Sequence, residues 1–114
     1  MTEKQLHAAI VKLVKAFGLW PIHVPNEGAR DPREAAILRC MGVEPGTPDI
    51  LVLGPRGSFL WLEVKGPLGK LSPKQHEWHA RAKELGHSVV VVQSLDAAAE
   101  ELERRFGWPQ GMAR

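Results

Sequence analysis

Apolar residues recur at the three- and four-residue spacing of a helix in four segments of the chain. Three of these segments begin at a capping box, in which Thr, Asp or Ser is followed three residues later by Gln or Glu. The predicted helices run from Thr2 to Gly18, Asp31 to Gly42, Ser72 to Gly86 and Leu95 to Phe106. The second helix is short, and we expect it to be an excursion from the core.

Four other segments are rich in β-branched and aromatic residues, which predicts strands. They are Trp20 to Val24, Asp49 to Leu53, Phe59 to Lys65 and Val89 to Val92. Residues 54–58 (GPRGS) form a turn, so the second and third strands make a hairpin. The uninterrupted valines of the last strand are typical of a strand covered on both faces. The tail after Gly107 is predicted to be loose.

The elements follow the order helix, strand, short helix, strand, strand, helix, strand, helix. This order predicts an α/β or α+β sandwich, in which helices flank a mixed sheet of about four strands. With 114 residues, 44% of them hydrophobic, the chain has enough material for one core but not for two. We therefore predict a single domain over residues 1–114.

Composition excludes several classes of protein. A single cysteine, Cys40, excludes an internal disulfide and a multi-cysteine zinc site. No apolar run approaches the roughly 20 residues that span a bilayer, and the first residues do not resemble a signal peptide. We therefore expect a cytoplasmic protein with no membrane partner. The net charge of +2 permits a polyanionic partner without requiring one.

The third predicted strand ends in charged residues. Because side chains alternate across a strand, Glu63 and Lys65 share a face with Phe59 and Trp61. Charges on an apolar face are unfavourable unless they are paired. Each residue alone is explained by a strand that ends in solvent, but their gathering behind an apolar run is typical of a catalytic site.

The hairpin brings a second carboxylate to this face. If Leu53 pairs with Phe59, Asp49 lies opposite Glu63, with the two Cβ atoms roughly 5 Å apart. Opposed carboxylates destabilise a hairpin unless a cation bridges them, and oxygen ligands suit Mg²⁺ or Mn²⁺. Lys65 would then hold an attacking water and stabilise the charge that develops on a phosphate. A turn one residue shorter would place the two acids on opposite faces.

Together these residues resemble a nuclease motif. Pro48-Asp49 followed by Glu63-Val64-Lys65 is similar to the motif of the PD-(D/E)xK phosphodiesterase superfamily. Residues 46–50 (GTPDI), 69–75 (GKLSPKQ) and the strand after Gly86 resemble, more narrowly, the VRR-NUC group. The resemblance covers nearly the whole chain.

The resemblance implies a restriction-endonuclease-like core and a metal-dependent DNA endonuclease. It implies that Asp49, Glu63 and the Val64 carbonyl bind Mg²⁺ or Mn²⁺, and that Lys65 positions or helps to deprotonate the nucleophile. It also implies structured DNA, such as Holliday junctions or flaps, as substrate, and a homodimer. Three alternatives stay open: a nicking, restriction-like or RNA-directed nuclease on the same fold, a non-catalytic nucleic-acid binding module, and a structural or partner-binding protein with no nucleic-acid role.

Two polar residues each have two interpretations. Gln75 completes a capping box and also stands where the family has a catalytic-site glutamine; its helical stripe with Trp78, Ala82 and Leu85 points it towards the sheet. Glu3 lies on the edge of the apolar face of the first helix and resembles the family's helix-borne acidic metal ligand. The alternative for Glu3 is a first-turn acid that the helix dipole favours.

Basic residues around the predicted site are candidates for contacts with phosphates. They are Lys4, Lys12, Lys15, Arg30, Arg33, Lys70 and Lys74. Each alone is more often a solvated surface charge. His76 and His79 are three apart on one helix, but no Cys or further His stands at a matching spacing, so we do not predict zinc there. His23 faces either the cleft or solvent.

Overall fold

The structure is a computed structural model, which describes residues 1–25 and 31–113. Its helices are α1 (Glu3–Ala16), α2 (Pro32–Cys40), α3 (Pro73–Glu84) and α4 (Leu95–Phe106), and its strands are β1 (Trp20–His23), β2 (Ile50–Leu53), β3 (Phe59–Val64) and β4 (Val89–Val92). The order of elements and the α+β class agree with the prediction. Within the described ranges, no helix has both the length and the apolarity that a membrane crossing requires.

The sheet is mixed and has the strand order β1-β2-β3-β4. β2 is antiparallel to both of its neighbours, β1 and β3, whereas β4 is parallel to β3. A parallel pair needs a crossover connection, which α3 supplies. The predicted hairpin of β2 and β3 is confirmed, and its turn is a short 3₁₀ segment, Pro55–Gly57.

The core lies on one face of the sheet, between the strands and the helices α1 and α4. The buried side chains that form it are Leu6, Ile10 and Val14 of α1, Phe17 just after α1, Ile50, Val52, Leu60, Leu62, Val64 and Val92 of the sheet, and Ala98 and Leu102 of α4. Burial of each leucine, isoleucine or valine contributes roughly 1.5–3 kcal/mol relative to exposure. This face of β3 is the one predicted to carry Leu60, Leu62 and Val64.

The opposite face of the sheet is only partly covered. The Trp61 ring of β3 meets the Trp78 ring of α3 at 5.1 Å, but both tryptophans keep some exposure. The prediction that β4 is covered on both faces is wrong, because Val91 is 41% exposed. Val89, two residues earlier on the same face, is only 6% exposed, so this face of β4 is covered at its start and open at Val91.

The excursion lies outside the core, as predicted. No residue of α2 is buried, and Ile37 and Met41 are 54% and 75% exposed. Asp31 caps this helix by accepting a hydrogen bond from the Glu34 backbone N–H at 2.7 Å. The helix is therefore held by its local cap and not by burial.

The prediction of a loose tail after Gly107 is wrong. Trp108 packs edge-on against Phe17, with ring centroids 5.3 Å apart, and its indole N–H donates to the Met112 carbonyl at 2.8 Å. Both Trp108 and Met112 pack against the core cluster. The tail is ordered because these large apolar side chains extend the core beyond α4.

Candidate active site

The hairpin register places Asp49 opposite Glu63. Leu53 pairs with Phe59, as predicted, and the same register continued to the open end of the hairpin sets the two acids across from each other. The prediction of this register is confirmed. Two carboxylates thus converge at the end of the central strand, where Glu63 follows a run of apolar residues.

Glu63 is completely buried, with 0% of its surface exposed. Its Oε1 atom lies 3.0 Å from His79 Nε2, whereas Oε2 has no hydrogen-bond partner in the described part of the chain. Burial is the largest cause that raises the pKa of Glu63 to about 9, followed by a hydrogen bond with the Asp49 side chain and the charge of that carboxylate. This bond needs a proton on one of the two acids, since two ionised carboxylates are acceptors only and cannot bond each other. An ionised Glu63 beside an ionised Asp49 therefore requires a compensating positive charge.

His79 is a residue of the site that the sequence did not reveal. It is buried against Glu63, and burial, followed by the charges of Lys83 and His76, lowers its pKa. The ring is therefore mainly neutral at pH 7, and its Nε2 atom would be the donor when Glu63 is ionised, as it would be with a cation bound. One feature of the sequence could have indicated that His79 faces the site: Gln75, His79 and Ala82 are four and three residues apart, so they share one face of α3. The predicted stripe included Leu85, which is 60% exposed.

Replacement of His79 by phenylalanine tests this contact. Phenylalanine keeps a ring in place but leaves the buried Glu63 carboxyl without its hydrogen bond, so we expect the free energy of unfolding to fall by about 1–3 kcal/mol. Denaturant unfolding of the metal-free protein measures it. His76→Phe, an exposed position on the same helix, is the control. Equal stabilities of the two variants would contradict the assigned contact.

Asp49 is fixed by hydrogen bonds to both neighbouring strands. Its Oδ2 atom accepts from the Val64 backbone N–H at 2.8 Å, and its carbonyl accepts from the Val24 N–H at 2.8 Å. These bonds hold the carboxylate at the end of β3. They also bring it next to Val64, whose carbonyl is the predicted backbone ligand.

A cavity of about 280 Å³ opens beside Asp49 and is lined by Glu3, Lys4, His7, His23, Asp49 and Val64. Glu3 reaches across from α1, and its Oε1 atom accepts from the Gly66 backbone N–H at 3.2 Å. The first turn of α1 therefore forms one wall of the site. His7, which the sequence did not single out, meets His23 with ring centroids 5.0 Å apart.

Lys65 directly follows β3 and is half-buried. Its backbone N–H donates to the Val92 carbonyl at 3.0 Å, which extends the parallel pairing with β4 by one residue. The charge of its ammonium lowers the pKa of Glu63, against the larger raising effects of burial and Asp49. Lys65 therefore lies close enough to the acids to influence their ionisation.

Gln75 forms the predicted capping box. Its Oε1 atom accepts from the Ser72 backbone N–H at 2.8 Å, and its own N–H donates to Ser72 Oγ at 3.2 Å. The carbonyl oxygen of the side chain is thus engaged at the start of α3. A catalytic role for Gln75 stays a prediction.

The loop before Asp49 is packed against this same helix start. Gly46 has a φ of +87°, and a Cβ atom built on it would lie 2.3 Å from the Lys74 carbonyl oxygen. Only glycine allows so close an approach of the two backbones. The GTPD and KLSPKQ segments are therefore parts of one structure, which joins the loop that carries Asp49 to the helix that carries His79.

The predicted phosphate-binding cations are spread over the surface. Lys4 lines the cavity beside Asp49, whereas Lys12 and Lys15 lie roughly 12 Å and 17 Å farther along α1. Lys74 pairs with Glu77 at 3.5 Å on the exposed side of α3, and Arg33 and Lys70 are exposed. The prediction for Arg30 falls outside the described residues. Of these cations, the structure places Lys4 at the cavity.

The donor set fits a hard divalent cation. Residues 1–25 and 31–113 contain no group of three His, Cys, Asp or Glu side chains arranged to hold a metal ion. Mg²⁺, however, commonly binds through one or two carboxylates and keeps several waters. The unpartnered Oε2 atom of Glu63, beside Asp49, is the feature that such an ion would complete.

The chain is similar to known nuclease domains. A family model described as the VRR-NUC domain matches residues 1–96. A protein of Acyrthosiphon pisum secondary endosymbiont phage 1, named "Putative nuclease p44", is 43% identical over 54 residues, which are 47% of this chain and 58% of that protein. The match thus spans little more than half the length of this relative.

Two solved structures have a similar fold. The first, named "VRR_NUC domain", is 25% identical with a TM-score of 0.67, and the alignment covers 93% of this chain and 99% of the other. The second, named "VRR_NUC domain protein", is 20% identical with a TM-score of 0.69 over 98% of each chain. Since the family model spans most of the chain, including Asp49, Glu63 and Lys65, the chain belongs to the VRR-NUC family of nuclease domains.

Proposed function

We propose that the chain is a metal-dependent endonuclease that hydrolyses phosphodiester bonds in DNA with Mg²⁺ or Mn²⁺. The observation that carries this proposal is the opposition of Asp49 and Glu63, with a buried Glu63 oxygen that has no partner among the described residues. Two apposed carboxylates in such a place are unfavourable in the free protein. They are favourable when they share a divalent cation.

The side chains of the site have different proposed roles in hydrolysis. Asp49 and Glu63 would hold the cation, together with the Val64 carbonyl, and Glu3 would be a further ligand from α1. When bound, the cation supplies Lewis-acid stabilisation of the phosphate and lowers the pKa of a coordinated water. Lys65 holds the attacking water and stabilises the negative charge that develops on the phosphate.

The substrate class is a second part of the proposal. We propose structured DNA, such as a four-way junction or a flap, cut by a homodimer whose two symmetric sites act on two strands. The exposed apolar residues of α2, Ile37 and Met41, are available to a second copy. The remaining basic residues, Lys12, Lys15, Arg30, Arg33, Lys70 and Lys74, are proposed to contact phosphates beyond the cleavage site.

A cleavage assay over a panel of substrates tests the proposal. Junction, flap, nicked, linear duplex and RNA substrates are incubated with the protein in Mg²⁺, in Mn²⁺ and in EDTA. Light scattering determines the mass of the active species, which tests the proposed homodimer. We expect cleavage of a DNA substrate in either metal and none in EDTA. Cleavage that is unchanged by EDTA, or confined to RNA, would refute it.

A further inference from the structure

A groove of about 640 Å³ lies on the partly covered face of the sheet, beside α3. Phe59, Trp61 and Trp78 form its apolar wall, and Leu85 at its edge is 60% exposed. The cavity beside Asp49 shares no lining residue with it. The groove is therefore a separate concave surface on the same domain.

The apolar wall of the groove is largely aromatic. The Trp61 and Trp78 rings meet at an interplanar angle of 70°, so they do not stack on each other in parallel. Nucleobases stack on such aromatic side chains with little dependence on sequence. The rim carries two cations, Lys74 and Arg81, and two acids, Glu44 and Glu77. This balanced charge suits a neutral base. Lys74 pairs with Glu77 at 3.5 Å, and Arg81 pairs with a third acid, Glu84, at 3.4 Å. Exposed pairs of this kind are weak, so a phosphate can compete for either cation.

The groove and the carboxylates are connected through two shared elements, β3 and α3. Trp61 precedes Glu63 by two residues on the same face of β3, which is roughly 7 Å along the strand. Trp78 is adjacent to His79, the hydrogen-bonding partner of Glu63. The spacing of roughly 7 Å between Trp61 and Glu63 equals about two stacked base steps, each about 3.4 Å long. Nucleotides next to a phosphate at the carboxylates therefore lie within reach of the groove.

We propose that this groove binds an unpaired nucleobase of the substrate next to the phosphate that is cleaved. The inference rests on the proposed nuclease function. It assigns a part of the substrate, an unpaired base, to the groove beside α3. A fully paired duplex keeps its bases in the stack, whereas a single-stranded segment or a mismatch presents them at little cost. The preferred substrates then carry unpaired nucleotides beside the cleavage site.

Binding of oligonucleotides in EDTA tests the groove without cleavage. The probes are a fluorescein-labelled single-stranded DNA and the same strand in a full duplex, followed by fluorescence anisotropy. We expect Trp78→Ala to weaken single-strand binding by about tenfold, since the loss of one stacked base corresponds to roughly 5- to 150-fold in affinity. Affinity for the duplex should change by less than about twofold.

The chain offers a matched control and a second variant. Trp20 is 65% exposed and lies on β1, away from the groove, so Trp20→Ala should leave both affinities unchanged. Leu85→Glu places a negative charge at the groove without removing a core side chain, and it should also weaken single-strand binding. This variant keeps the test decisive if Trp78→Ala unfolds, which circular dichroism detects.

Three outcomes overturn the inference. They are unchanged single-strand affinity in Leu85→Glu, an equal loss in Trp20→Ala, and a change of oligomeric mass in the groove variants, which would assign the groove to a second copy of the chain. Metal-dependent cleavage of DNA by the wild type is measured separately. If it persists while the groove variants bind normally, the proposed function stands and the groove assignment alone fails.

Discussion

Replacement of Glu63 by glutamine is expected to reduce the rate of DNA cleavage in Mg²⁺ by about 10³-fold or more. The variant would lose several kcal/mol of the transition-state stabilisation that the metal supplies, and each loss of about 1.36 kcal/mol slows the reaction tenfold. Glutamine has almost the same shape as glutamate but offers the cation no negative charge. The rate of cleavage under single-turnover conditions measures the effect. Glu100→Gln, at an exposed position on α4 away from the site and the groove, is the control and should cleave like the wild type.

The same variant should fold well, which separates catalysis from stability. In the metal-free protein the pKa of Glu63 is raised from 4.5 to about 9, so the folded state binds this proton more tightly than the unfolded chain does. The free energy of unfolding of the wild type should therefore fall as the pH rises from about 6 to about 8. Glutamine has no proton to lose, so this part of the decline should be missing in Glu63→Gln. Wild-type cleavage rates in the variant would rule out Glu63 as a ligand.

Gly46→Ala is expected to lower the free energy of unfolding by about 2–5 kcal/mol, the sum of left-handed backbone strain and overpacking. The new Cβ atom would lie 2.3 Å from the Lys74 carbonyl oxygen and 2.8 Å from the Gln75 backbone nitrogen. Backbone atoms cannot move aside as a flexible side chain can. Either α3 or the loop must shift, and the loop shift would displace Asp49.

Gly42→Ala is the matched control for this variant. Gly42 has a similar φ of +91°, but no atom lies within 4 Å of a Cβ built on it, so it should lose only about 1–2 kcal/mol from backbone strain. Urea unfolding of both variants gives the difference. If the two substitutions destabilise the protein equally, the loop is not packed against α3 as the structure shows.

Local pattern was enough to predict the elements and the opposed acids. The two-residue alternation of β3 separated Leu60 and Leu62 from Trp61 and Glu63, and the turn length set the register that pairs Leu53 with Phe59. The three predicted N-caps were recognised from pairs of residues that lie three positions apart in the sequence. The tail was predicted wrongly because Trp108 is ordered by its contact with Phe17, which is distant in sequence.

The sequence by itself determined which residues form helices and strands, which face of β3 is apolar, and that Asp49, Glu63 and Lys65 gather at one end of the hairpin. These properties depend on periodicity and turn chemistry, which act over a few residues. Only the tertiary structure decided that His79 bonds Glu63 and that Gly46 lies against Lys74. Periodicity shows which side of a helix faces inwards, but the residue it meets depends on how separate segments pack in three dimensions.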